Sequence, residues 1–252
     1  MATTAQSVRA LAAPVGDVGG RWMLHRDVLG PGKRSGYPNG YAYYVAGRGG
    51  VLGNVDADVV SSAMGFFEPS LMRKMWEAGV AVEGARAAAA RYGAACAEWG
   101  RSRLQGFESA PRIAEVIRHV VDSADAAGLA LFAGWRAESR PSDPPGLAYF
   151  MVNILRELRG SAHIAAVVAT GIAPRDAMLL RGGEGRAQQF GWTGPFPDVS
   201  HLVSLRGKTE ALTDKIMIRF FDHALNTEES AELLGLVLEM KACLDAAGDA
   251  AA

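Results

Sequence analysis

The chain has little cysteine, no long apolar run and no excess of charge. Two of its 252 residues are cysteine, Cys96 and Cys243, and neither belongs to a CxxC or Cys/His spacing. A disulfide framework and a zinc ribbon are thereby excluded, and reduced thiols in alanine-rich patterns point to a cytoplasmic location. No uninterrupted apolar segment reaches the roughly 20 residues of a membrane span. The start, Met1-Ala2-Thr3-Thr4-Ala5-Gln6-Ser7, has no basic flank with an apolar run behind it, so neither export nor membrane insertion is expected. The 26 Lys and Arg nearly cancel the 27 Asp and Glu, leaving a formal charge of -1. That balance offers a polyanion no global attraction. The basic group Arg21, His25, Arg26, Lys33 and Arg34 reads as ordinary solvated surface, so nucleic acid is not an expected partner.

Histidine is scarce too. His25, His119, His163, His201 and His223 lie far apart and form no HExxH pair, so no metal site is expected. There is no GxSxG elbow for a serine hydrolase. The glycines of residues 47–53 lack the βαβ frame of a dinucleotide site, and those at 182, 183 and 185 lack the GxxxxGK[ST] spacing of a phosphate loop. No cofactor is expected.

What is present is a core: 49% apolar against 21% charged residues describes a folded globular protein. Apolar spacing and breakers predict a mainly α chain. Helices are expected over 22–29, stopped by Gly30-Pro31-Gly32, then over 57–65 after Asp56, from Pro69 to about 76, over 82–104, 111–121 and 124–135. Others follow from about 146 to 170, 174–180 and 212–221, with a last one capped by Asn226 and Glu229. Residues 201–205 read as a short strand or a helical turn. The segment Glu138-Ser139-Arg140-Pro141-Ser142-Asp143-Pro144-Pro145-Gly146 cannot continue a helix. It places a boundary between an N-terminal unit, residues 1–140, and a C-terminal one, 146–252.

The most informative stretch is Asn153-Ile154-Leu155-Arg156-Glu157-Leu158-Arg159-Gly160-Ser161-Ala162-His163. Asn153, Arg156, Arg159 and His163 recur at helical spacing and share one stripe. Met151, Ile154, Leu158, Ala162 and Ala165 form the opposite, core-facing stripe. Apolar flanks leave little room for a wide solvated face, so the polar stripe is read as lining a cavity beside the domain boundary. Glu157 lies off the stripe and is expected to pair with an arginine or a group from another helix. Tyr41, Tyr43 and Tyr44 put aromatic faces and hydroxyls on a glycine-rich element over 36–53. The loop at 190–197, with Trp192, could cover a cavity or simply pack down.

These residues suggest a protein that binds a small polar or anionic metabolite, an enzyme sooner than a sensor, in a setting of secondary metabolism. In that reading His163, Arg159 and Tyr43 are catalytic, and Arg156, Asn153, Tyr41, Tyr44, Glu157 and Trp192 bind the ligand. The arginines hold negative charge, His163 moves a proton and a tyrosine donates a hydrogen bond. Isomerisation, elimination or cyclisation fits such equipment. The competing readings are a ligand-responsive DNA-binding regulator, a non-catalytic metabolite carrier, and a satisfied salt-bridge network with no ligand. The last helix is apolar enough to close a core or form a homodimer contact.

Three blocks carry a family resemblance: Gly36 to Gly53 with Val59-Val60 and Phe66-Phe67-Glu68-Pro69, then Leu155 to Ala166, then Gly191-Trp192 with Leu212-Thr213-Asp214-Lys215. Together they resemble an actinobacterial family of helix-turn-helix-containing proteins of uncharacterised role. The resemblance implies two winged-helix-like helical units with at most short β wings. The chain departs from that pattern most between Trp192 and Leu212, where relatives tend to carry a longer acidic helix and a wing.

Overall fold

The computed structural model describes residues 2–248, and every regular element among them is helical. The helices are α1 (Thr4–Val18), α2 (Arg26–Arg34), α3 (Gly40–Gly49), α4 (Ala57–Met64), α5 (Pro69–Glu83), α6 (Ala85–Arg103) and α7 (Ala110–Ser123). They continue with α8 (Ala130–Ala137), α9 (Pro144–Thr170), α10 (Pro174–Gln189), α11 (Val203–Ala224) and α12 (Thr227–Ala246). The mainly α expectation holds, but the winged-helix-like units do not. No β strand occurs among the described residues, so there is no wing of any size. Where a wing was expected, residues 200–202 form one 3-10 turn that runs directly into α11.

α9 organises the molecule. Its 27 residues span about 40 Å at 1.5 Å per residue. The Asp143 side chain caps the start by accepting from the Gly146 N–H at 2.9 Å, and Pro144 and Pro145 occupy positions whose N–H groups have no helical partner. Gly171, at φ +75°, ends it and donates back to Val167 and Val168. α1, α6, α7, α8 and α11 pack along its length. Met151, Ile154, Leu158 and Ala162 are buried as their spacing requires. Ala165 is not: the last turns of α9 emerge from the bundle, exposing Ala165, Val168 and Ala169. The main apolar core runs from Val8 on α1 to Leu244 on α12, and a smaller separate cluster on α10 holds Met178, Leu179 and Ala187.

Several expected boundaries move for identifiable reasons. A capping box between Thr3 and Gln6 starts α1, which the permissive opening sequence hides. α2 passes through Gly30-Pro31-Gly32 because Pro31 lies on its exposed side, where water can satisfy the carbonyl a proline leaves free. The single helix expected over 82–104 is two, broken at Gly84 with φ +83°. In α3 the absence of a side chain at Gly47 lets Tyr92 of α6 pack directly on the backbone; an added Cβ would lie 2.4 Å from its ring. Arg21 is not solvated surface either: its guanidinium is held by Asp17 and Asp245, tying α1 to α12.

Candidate functional site

Midway along α9 the core contains a carboxylate. Glu157 is fully buried, and its oxygens accept from Arg48 Nε at 2.9 Å and Arg48 Nη2 at 2.8 Å. Arg156 donates to the same carboxylate at 2.9 Å, and Arg48 gives its remaining arm to the Tyr44 hydroxyl at 2.8 Å. Burial acts to raise the Glu157 carboxyl, but the Arg48 and Arg156 guanidiniums outweigh it and hold the group below the usual carboxylate range. The same attraction, against burial, raises Arg48. This bidentate pair links α3 to α9.

In front of this cluster is a cavity of about 140 Å³. Arg48, Arg156 and Arg159 enter it from α3 and α9, and Arg181 and Arg186 from α10, with no aspartate or glutamate among the lining residues. The opposite wall is apolar and includes Met64, Phe66, Phe67, Leu131 and Phe190. Arg159, His163 and Arg181 also line a larger trough of about 550 Å³, whose walls include Asp17, Arg206 and Glu210. Arg159 pairs with Glu210 at 3.0 Å. The His163 Nδ1 lies 3.0 Å from the Thr213 hydroxyl. Burial holds His163 below its ordinary value, Glu210 opposes that, and Arg159, Arg181 and Arg206 add to it. Arg156 and Arg159 keep 26% and 23% of their side-chain surface, so they border a space rather than point into open solvent.

The structure therefore brings together Arg156, Arg159, His163 and Tyr44 around one cavity, with Glu157 holding Arg156 from behind. It does not bring in Asn153, which is fully buried and accepts from Trp22 Nε1 at 3.2 Å. Tyr43 is also elsewhere, packed against Tyr37 and Tyr92, with burial pushing its phenol up to about 12. Tyr41 donates to the Gln189 carbonyl at 2.8 Å, and Trp192 Nε1 donates to the Phe66 carbonyl at 2.9 Å, fastening the aromatic loop down. Sequence reasoning missed Arg48, Ser161, Arg181 and Arg186. The glycine pair between the last two, Arg181-Gly182-Gly183-Glu184-Gly185-Arg186, was the available signal.

Beyond α9 the chain turns sharply. Gly171-Ile172-Ala173 carries it through 113° into α10, which opens Pro174-Arg175. Two helices joined at about 90–120° by three or four residues, often with a glycine, make a helix-turn-helix corner. No single helix among the described residues is long and apolar enough to cross a membrane. A family profile described as a helix-turn-helix family matches residues 8–195. No curated protein and no solved structure matches the chain. The chain belongs to the helix-turn-helix family.

That membership corrects the expected chemistry. The family signal is a helix-turn-helix one and not a catalytic fold, so the near-zero net charge does not rule out nucleic acid as a partner. Neither acid/base catalysis nor a setting in secondary metabolism has support. Tyr43 is outside the cavity, His163 meets a threonine hydroxyl, and the nearby Glu210 is tied to Arg159. Among the described residues no three His, Cys, Asp or Glu side chains gather to hold a metal ion.

Proposed function

We propose that this member of the helix-turn-helix family is a ligand-responsive DNA-binding regulator, with the α9–α10 corner as its DNA-contacting element and the arginine-lined cavity as its effector site. The family match carries the reading. The corner supports it in detail: the second helix of such a motif lies in the major groove, with its N-terminal residues against base edges. Here those residues include Arg175, which Asp176 holds at 3.1 Å until a base or phosphate competes for it. The cavity draws side chains from both α9 and α10, so whatever fills it bears on how the two helices pack, while the larger trough beside it reaches the corner itself at Val167, Ile172 and Met178.

Arg156, Arg159, His163 and Tyr44 belong to the effector site in this reading, with Glu157 as its fixed support. The proline-rich segment is the proposed boundary between helical units 1–140 and 146–252, and the main apolar core runs across it. A homodimer would present two copies of α10 to half-sites one DNA turn apart.

The test is duplex binding by fluorescence anisotropy, first to random-sequence DNA and then to selected sequences, across a salt series. Affinity should fall steeply between about 50 and about 200 mM salt, as counterion release requires. Arg175→Ala should weaken the selected site by about tenfold or more while flattening its sequence preference. No duplex binding at the lowest salt would remove the regulator. If an effector still bound, a metabolite carrier would take its place.

A further inference from the structure

We infer that the 140 Å³ cavity takes an organic anion, a carboxylate or phosphate head on an apolar body, its head seated between Arg181 and Arg186, which the Gly182–Gly183 kink turns onto one side. The inference rests on the effector reading above and adds the ligand's chemical class and the device that holds it.

Geometry comes first. In an unbroken helix Arg181 and Arg186, five positions apart, would point about 140° away from each other at 100° per residue. α10 is broken between them: Gly182 sits at φ -163°, ψ 25° and Gly183 at φ 68°, ψ -163°. The second is a left-handed conformation that only glycine adopts without strain. The break lets both guanidiniums reach the same cavity.

Charge is the second observation. Around that space five arginines meet two carboxylates. Glu157 is shared by Arg48 and Arg156, and Glu210 takes Arg159. Arg186 donates to the Gln189 side-chain carbonyl at 3.1 Å and lies over the Phe190 ring. Arg181 has no carboxylate or hydrogen-bond partner among the described residues. Its side chain is exposed at the rim, yet desolvation and then Arg186, Arg156 and Arg159 push it below the ordinary arginine range, with Glu210 opposing them. A bound anion would relieve that repulsion. Ser161 adds an independent sign: it is 93% buried at 7% exposure, lines the cavity, and its hydroxyl has no hydrogen-bond partner.

The remaining wall sets the body of the ligand. Phe67 and Phe190 stack at 4.3 Å between ring centroids, and Phe66 lies beside the His163 ring. An apolar cavity of about 150 Å³ holds one benzene ring, so the space suits a single ring, with its head toward the shared rim at Arg181. A bare inorganic anion would leave that apolar wall uncovered.

Isothermal titration of the full chain, without DNA, tests this with benzoate, phenyl phosphate, neutral benzamide and inorganic phosphate. Benzoate or phenyl phosphate should bind at least about tenfold more tightly than benzamide or inorganic phosphate, and Arg181→Met should lose about tenfold with an unchanged unfolding midpoint. Failure of both ring anions to bind at about 10 mM, or equal affinities for benzoate and benzamide, would overturn the assignment. So would Arg181→Met binding as tightly as the parent. Ring-anion binding in a protein that ignores DNA would support the site while removing the regulator, so the two claims fail separately.

Discussion

Two arginine clusters lie side by side in this protein, and they obey opposite rules. At α3 and α9, Arg48 and Arg156 converge on a carboxylate with no exposed surface, and Arg48 gives its remaining arm to the Tyr44 hydroxyl. At the kink of α10, Arg181 and Arg186 face a cavity with no acidic group in its lining. A charge removed from water must be paired. One left at a rim can wait for a partner from solution. The first cluster holds the fold together, and the second is equipped to receive something.

The contrast is broken most severely by Glu157→Gln. Arg48 would then remain buried without its counter-charge, and the loss should be about 3–5 kcal/mol. Urea unfolding followed by far-ultraviolet circular dichroism measures it, and a loss near zero would mean the pair is dispensable. Gly183→Ala should cost about 1–2 kcal/mol, because a Cβ is forced into a left-handed backbone; it should also weaken ring-anion binding by moving Arg186 away from Arg181.

Smaller still is a pH effect at His163. Its folded value is held below the ordinary 6.5 by burial, so the folded state favours neutral imidazole. The associated stability is complete above that ordinary value and is lost as pH falls through the folded one. Midpoints measured from pH 7.5 down to about 5 should decline less in His163→Gln than in the parent. Arg181→Met should be the mildest, within about 0.5 kcal/mol of the parent or slightly more stable, since it removes repulsion and breaks no pair. A large destabilisation there would merge the two clusters into one structural network.

The helical class was legible because breakers and apolar spacing act locally. Asp143 with Pro144 and Pro145 starts α9, Gly171 stops it, and Asn226 with Glu229 caps α12, all within a few residues of chain. The polar stripe of α9 was legible for the same reason, and so was the need of Glu157 for a partner, an arginine or a group from another helix. Which arginine it takes was not legible: Arg48 is 109 positions away and looked like part of a glycine-rich run. Asn153 and Tyr43 had the right chemistry and the wrong neighbours, one claimed by Trp22 and the other by Tyr37 and Tyr92.

By itself, then, the amino-acid order settled the helical class, the extent of α9 to within a few residues, the cap of α12 and which face of α9 is polar, because capping and periodicity are properties of adjacent residues. Only the tertiary structure decided which charges are neutralised, where a wing is missing, and that two arginines separated by a glycine kink border one space. Those outcomes depend on distances between segments far apart in the chain, and no local pattern encodes such distances.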